Sequence, residues 1–379
     1  MLSPLCQALW LLDEILFPAY RRQTLRSPVF VLAPPRTGST SLHRAVVADT
    51  SLFFAPVLLE LLFPFLTVIK ALHWLRARPA LLNKVTRVLG WLMHTLGLNS
   101  SEVSTRHPMG LFREDEDDIC LTVHHLTSEI GWVAVSHIES FLWGATLQNR
   151  SDATQRRSAL LLTRVYQKIS FVRGHGRVLC TKSHLVGLAP ALLSLHPSAR
   201  LVTILRPAES SFPSFWSLQC AISRDFGGFE STGPIYLEMR VQFIRELNEA
   251  VRRVFGRGVD PGRRVVAFSE FCDAPGQTIS VLYDGWGIAH DRQRLASLVD
   301  AVMADEKYAH GLGARERFFF FGASVCSRLS FFFQSIDIAT WKQIGMKRGN
   351  IAAAVDDWFA HYPKQRSAQE TGKGLGPLK

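Results

Sequence analysis

The feature that most constrains this chain is Pro35-Arg36-Thr37-Gly38-Ser39-Thr40, set between an apolar run and a helix-forming stretch. Before it, Val29, Phe30, Val31 and Leu32 are consecutive apolar residues rich in β-formers, so Pro28 to Ala33 reads as a short strand buried on both faces. After it, Leu42, Ala45, Val46 and Ala48 give an apolar helix face from about Ser41, with Ser39 and Thr40 as capping hydroxyls. A turn of small residues between strand and helix leaves backbone N–H groups pointing outward, where the helix dipole adds positive charge. Gly38 allows close approach, Ser39 and Thr40 add hydroxyl donors and Arg36 adds a permanent charge, so the turn is an anion cradle. The Walker pattern G-x-x-x-x-G-K-[ST] needs an early Gly and a Lys before the hydroxyl residue. Pro34 to Thr40 has neither, which disfavours ATP with magnesium.

The strand-then-helix pattern returns. Arg177 to Thr181, Arg200 to Leu205 and Arg263 to Ser269 read as strands; Val186 to Leu195, Ser210 to Cys220 and Pro275 to Gly285 read as helices. Alternation of this kind predicts an α/β fold of three layers, P-loop-like, with a central parallel sheet. Residues 52–170 read as mainly helical, an insertion over the ligand side of the sheet. Within it Leu52 to Leu75 is the most apolar run. Pro56, Glu60, Pro64 and Lys70 interrupt it, so the expectation is a buried or interfacial helix pair rather than a bilayer span.

Composition narrows the field further. With 47% apolar and 20% charged residues over 379 positions the chain should be globular. A net charge of +11 and a pI near 9.7 favour anionic ligands and surfaces without naming one. Lys and Arg are spread along the chain with no zinc-knuckle or RNP-like pattern, so nucleic acid is not expected. The six cysteines are dispersed, with no Cys-x-x-Cys pair and no Cys/His metal spacing; a reducing compartment fits and no metal site is expected. Residues 1–27 form a helical segment. It lacks an early basic region and carries Asp13 and Glu14 in its apolar stretch, so no cleaved signal peptide is expected, and the cytoplasm or the periphery of a membrane is indicated. Leu5, Leu9, Leu12 and Leu16 repeat at helical spacing, which fits a helix docked on the domain, the first reading, or one lying on a membrane surface. Residues 363–379 should be disordered.

The loop resembles the 5′-phosphosulfate motif P-R-[ST]-G-[ST]-T-x-L-x-R of the carbohydrate, tyrosyl and bacterial-type branches of the sulfotransferases that use 3′-phosphoadenosine-5′-phosphosulfate (PAPS). Pro35, Arg36, Thr37, Gly38, Ser39, Thr40, Leu42 and Arg44 match it. Arg206, at a strand end, and Ser214, eight residues on, are similar to the family's 3′-phosphate motif; a guanidinium fork and a hydroxyl suit a terminal phosphate. The acidic residue usual after the Arg is replaced by Pro207. Leu59-Glu60-Leu61-Leu62-Phe63-Pro64 resembles W-E-L-x-x-P, His107-Pro108-Met109-Gly110 resembles H-P-M-G, Glu114 to Leu121 resembles the acidic stretch, and Lys182-Ser183-His184-Leu185 resembles K-S-P-x-H-L without its Pro. The resemblance implies a sulfotransferase domain over 28–362, with an atypical phenylalanine-rich segment at 314–349.

It further implies transfer of a sulfuryl group from PAPS, without a metal, to a hydroxyl or amine of a small-molecule, sugar or lipid-like acceptor, with peripheral membrane contact open. Arg36 would meet the leaving group, Thr37, Gly38, Ser39, Thr40 and Ser41 the 5′ end, and Arg206 and Ser214 the 3′-phosphate. For the general base Glu60 comes first. It lies in an apolar segment, where burial raises a carboxylate pKa, and downstream of the loop where the tyrosyl branch has its catalytic Glu. A surface or Arg-paired Glu60 is the alternative. His107 is second and Glu114 or Glu116 third; His43 reads as a helix-face residue, and Lys182 as either a ligand contact or a surface charge. Two other functions fit the fold: a P-loop kinase or NTPase using a magnesium nucleotide, and a non-catalytic nucleotide-binding or membrane-surface module.

Overall fold

The computed structural model describes residues 4–95, 112–114, 116–125, 151–207, 210–218, 234–256, 260 and 262–311. His107 with its Pro-Met-Gly neighbours, the phenylalanine-rich 314–349 and the tail 363–379 lie outside them.

Five strands, β1 (Val29–Leu32), β2 (Phe53–Phe54), β3 (Val178–Ser183), β4 (Arg200–Leu205) and β5 (Arg263–Ala267), form one sheet in the order β2-β3-β1-β4-β5. Every pairing is parallel, with Val29 opposite Cys180 on one side and Arg200 on the other. β1 is buried at all four positions because both sheet faces are covered, as its unbroken apolar run requires. The pleat divides its side chains between two cores. Phe30 and Leu32 pack with Leu179 and Leu201 against the helices Asp152–Arg173 and Ala189–Leu195. Val29 and Val31 pack with Cys180, Val202 and Val266 against Ser39–Val46 and Pro275–Gly285. The three-layer α/β expectation holds.

Several boundaries differ from the sequence reading, each for a local reason. Phe268 and Ser269 leave the strand and open the helix Phe268–Asp273, whose buried Phe271 joins the second core. Val186 to Leu195 divides into a 3₁₀ turn, Val186–Leu188, and the helix Ala189–Leu195, with Pro190 at the first helical turn. The insertion begins with β2, a two-residue edge strand too short to leave a periodic signal. It then forms the expected short helices, Leu58–Leu62 and Leu66–Arg76, followed by Pro79–Thr95, Asp118–His125 and Asp152–Arg173.

The N-terminal helix Pro4–Leu16 is docked, but the later leucines of the repeat do not carry the docking. Asp13 and Trp10 face inward, while Leu12 and Leu16 are exposed. Asp13 accepts from Lys168 Nζ at 2.9 Å and from the Leu66 N–H at 2.8 Å, so one buried carboxylate ties three helices together. Lys168 is itself inaccessible, sits 3.3 Å from the centre of the Trp10 ring and donates to the Pro64 carbonyl. Removing one member of a buried ion pair strands the other charge at a cost of about 3–5 kcal/mol. Lys168→Met should therefore lower the denaturant midpoint strongly, and adding Asp13→Leu should recover part of the loss. Equal stability of Lys168→Met and the parent would show that the pair does not hold the helix.

Candidate active site

All the strands end on one edge, where crevices for ligands form in open parallel sheets. After β1 the Ala33 N–H still donates to the Ser183 carbonyl at 3.2 Å, and the chain then turns at Pro34 and Pro35. Thr37 Oγ1 donates to the Pro34 carbonyl at 2.8 Å and fixes the turn. Arg36 has φ 65° and Gly38 φ 94°, both left-handed. A non-glycine residue there costs on the order of 1 kcal/mol, and such strain gathers at ligand sites. Gly38 precedes the helix Ser39–Val46, and no side chain caps it. The expected cap by Ser39 or Thr40 is thus corrected. Ser39, Thr40 and Ser41 lie inside the first turn, whose N–H groups have no partner within the helix. A Cβ at position 38 would sit 2.8 and 2.9 Å from Cε2 and Cδ2 of Phe268, so the position is glycine for space as well as for backbone angle.

The second motif closes over the first. Arg206 follows β4 directly; its Nη1 donates to the Arg36 carbonyl at 3.2 Å, its Nε to Ser210 Oγ at 3.1 Å, and the guanidinium lies 4.6 Å from the Phe268 ring centre. Arg36 Nε in turn donates to Ser214 Oγ at 2.9 Å across 178 residues of sequence. Pro207, standing where an acidic residue was expected, accepts the N–H groups of Ser210 and Ser211 and so starts the helix over 210–218. Beside this cluster Pro34, Thr37, Arg206, Phe212, Phe215 and Asn248 line a narrow crevice.

Under the loop lies a charge network that sequence reasoning saw only in pieces. Lys182, near the end of β3, is buried rather than on the surface, and its Nζ donates to Thr40 Oγ1 at 2.8 Å and to the Glu116 carboxylate. Glu116 also faces His184 Nε2 at 3.2 Å, while His184 Nδ1 lies 2.6 Å from the Ala33 carbonyl. Burial alone would depress the His184 imidazole, but the adjoining Glu116 carboxylate outweighs it and raises the pKa. Asp118 accepts from Ser183 Oγ and the His184 N–H. Glu116, Asp118 and His184 bring ligand-type atoms within 4.8 Å of one another. Of these three, Glu116 is the one bonded to the Lys182 ammonium, and it is shared with His184. Asp117 accepts from Tyr166 at 2.6 Å, and burial pushes its carboxyl up to about 8. Burial pushes His43, on the inner side of the helix Ser39–Val46 with Nε2 3.3 Å from the Cys180 carbonyl, down to about 4, so it is neutral near pH 7.

Glu60 is buried, with 1% of its surface exposed, and is paired with Arg173 at 2.6 Å. The same oxygen, Oε2, accepts the Val57 N–H at 3.0 Å. Its other oxygen, Oε1, is buried with no protein partner. Glu114 bridges to Val57, so the acidic stretch crosses the carboxyl ends of β2 and β3 beside Glu60 and Lys182.

A left-handed glycine turn, two arginines and a buried lysine thus meet at the carboxyl edge of a parallel α/β sheet, a set of donors with the chemistry to receive an anion. The sequence pattern described as "Sulfotransferase family" matches residues 28–292, and the chain belongs to that family of enzymes. Among solved structures its fold is similar to sulfotransferase STF9 from Mycobacterium avium, with a TM-score of 0.61, 14% identity and coverage of 94% of this chain and 81% of that one. It is also similar to sulfotransferase STF1 from Mycobacterium tuberculosis H37Rv, with a TM-score of 0.54, 16% identity and coverage of 81% and 78%. No curated protein sequence matches the chain.

Two outcomes follow from this geometry. Gly38→Ala forces a side chain into a left-handed residue and against Phe268, and should cost about 1–3 kcal/mol, read as a lower melting temperature. No loss would mean that the turn relaxes freely. For Asp117, an ordinary carboxyl titrates near 3.9 when unfolded, whereas this one titrates near 8 when folded. Between those values the folded state holds a proton that the unfolded state has lost, so this group's contribution to stability falls as pH rises from about 4 to about 8. The depressed His43 acts oppositely, its contribution being lost as pH falls from about 6.5 to about 4, but it is common to parent and variant. The melting temperature of Asp117→Asn minus that of the parent should therefore climb with pH across the window. A flat difference would refute the buried neutral carboxyl.

Proposed function

We propose that the chain transfers a sulfuryl group from PAPS to a hydroxyl or amine of a small-molecule, sugar or lipid-like acceptor and releases 3′-phosphoadenosine-5′-phosphate (PAP), without a metal. The observation that carries this is the contact of Arg36 with Ser214 and of Arg206 with the Arg36 carbonyl, which joins two motifs far apart in sequence into one anion site. The residues fit such a donor. The Gly38 turn and the first N–H groups of Ser39–Val46, with the hydroxyls of Thr37, Ser39, Thr40 and Ser41, suit the 5′ end. Arg206 and Ser214 suit the 3′-phosphate, and the half-buried Phe212 ring near Arg206 suits an adenine.

The chemistry needs little more than positioning and charge. As the acceptor oxygen bonds to sulfur, the bond from sulfur to the bridging oxygen breaks and negative charge collects on the departing phosphate. Arg36 stabilises that charge, helped by Lys182, which is already oriented toward Thr40. Glu60 takes the acceptor proton. Its partnerless Oε1 supports this role, while Val57 and Arg173 hold Oε2 and fix the carboxylate.

The test is a screen for PAP release from PAPS in a chelator, across alcohols, phenols, sugars and lipids. Transfer that requires magnesium and ATP would replace this reading with a kinase or NTPase. PAP binding without turnover on any acceptor would leave a binding module. With an active acceptor in hand, Glu60→Gln should lower kcat by about 10²–10⁴-fold and leave PAP affinity nearly unchanged. Unchanged turnover in a folded variant would remove Glu60 from the mechanism.

A further inference from the structure

A surface helix ordinarily buries its apolar stripe and shows its polar face to water. Pro4–Leu16 departs from this, with apolar side chains on its solvent side as well. Its docked side carries Trp10 and the ion-paired Asp13, while Leu11, Leu12, Ile15 and Leu16 are 60%, 41%, 67% and 54% exposed on consecutive turns. The apolar surface continues beyond the helix. Lys70 Nζ lies 3.9 Å from the centre of the Phe17 ring, Trp74 is one turn further along Leu66–Arg76 and 50% exposed, and the Arg78 guanidinium stacks on it at 3.9 Å.

The charge around this face is mostly of one sign, Glu14 on the helix itself being paired with Arg21. Residues 61–95 contain Lys70, Arg76, Arg78, Lys84 and Arg87 and no Asp or Glu; residues 17–28 contain Arg21, Arg22 and Arg26 and again no acid. All but Arg76 are exposed, and of the exposed ones Arg21 is paired with Glu14. Exposed leucines beside a tryptophan and long cations make the composition of a helix lying in a headgroup layer. Two copies of the face packed together would set like charges against each other, whereas an anionic surface complements them. Among the described residues no helix is long and apolar enough to cross a membrane, so contact from this face is peripheral.

We propose that the helix Pro4–Leu16 together with Lys70, Trp74 and Arg78 is a docking surface for an anionic lipid bilayer, with the aliphatic side chains below the headgroups and the cations against their phosphates. None of these residues belongs to the donor site, so the surface stands whether or not the transfer reaction is sulfuryl transfer.

The full chain is sedimented with vesicles of phosphatidylcholine alone and of phosphatidylcholine mixed with phosphatidylglycerol, over a range of salt. It should bind the mixed vesicles, and binding should weaken as salt rises. Leu11→Glu/Ile15→Glu should reduce the binding by about tenfold or more, and Lys70→Ser/Arg78→Ser by roughly fivefold per charge removed. All four side chains are exposed, so far-UV circular dichroism and the melting temperature should match the parent and certify the fold. The proposal is overturned if the chain ignores anionic vesicles, or if Leu11→Glu/Ile15→Glu binds them as well as the parent. It is equally overturned if the face proves to hold a second copy, seen as a dimer in solution that the same pair of substitutions dissolves.

Discussion

A strand buried on both faces has nowhere along its length to hold a charge, and that restriction on β1 organises the whole molecule. Val29, Phe30, Val31 and Leu32 divide between two apolar cores, so polar groups can appear only where the strand ends. Parallel pairing with β3 and β4 brings the ends of three strands to the same edge. The loop after β1, Lys182 on β3 and Arg206 after β4 are neighbours for that reason, despite their distance in sequence. Gly38, with the Phe268 ring where its side chain would be, lets the first helix start without a capping side chain, so its leading N–H groups stay available to an anion.

Beneath that edge the protein keeps a positive group in place with negative ones. Lys182 is almost inaccessible to water, and such a charge persists only when paired and hydrogen-bonded. Glu116 supplies the pair, His184 shares the same carboxylate, and Asp118 holds the backbone of His184. The arrangement fixes Lys182 on Thr40 through a side chain that would otherwise be among the most flexible in the chain. Asp117, next to Glu116, is in no ion pair among the described residues; burial outweighs the nearby Lys182 charge, and it leans on Tyr166 instead.

Much of this was legible in the sequence, and what escaped has physical reasons. The β1-turn-helix unit, the strand Arg200–Leu205 and the helix Pro275–Gly285 carry strong local signals, namely apolar runs bounded by Gly and Pro. The two-residue β2 has no period to detect, and β5 ends sooner than its sequence suggests because Phe268 suits a strand by propensity but is drawn into a helix by the core around Phe271. Within the site, Arg36, Gly38, Arg206 and Ser214 stood out by motif. Glu116, Lys182 and His184 appeared as separate fragments, because the bridge joining Glu116 to Lys182 spans 66 residues and only the folded sheet edge brings them together. Lys182 looked as much like a surface charge as a buried one, since its counter-charge lies in another segment. Glu60 remained divided between roles, and its geometry keeps both in view: one oxygen is held by Arg173, the other has no protein partner.

The pairing of Asp13 with Lys168 reaches beyond the helix it anchors. A segment that shows leucines to solvent has the appearance of something added to a finished domain, dispensable to it. Yet the only carboxylate bonded to the Lys168 ammonium among the described residues is on that segment, and the same carboxylate takes the first free N–H of Leu66–Arg76. A chain shortened to begin at β1 would keep every residue of the donor site and lose the counter-ion of a lysine inside the insertion. In such a chain the domain would be intact on paper and carry an unmatched charge in its interior. The functional unit is therefore longer than its motifs, and the N-terminal helix belongs to the core that supports them.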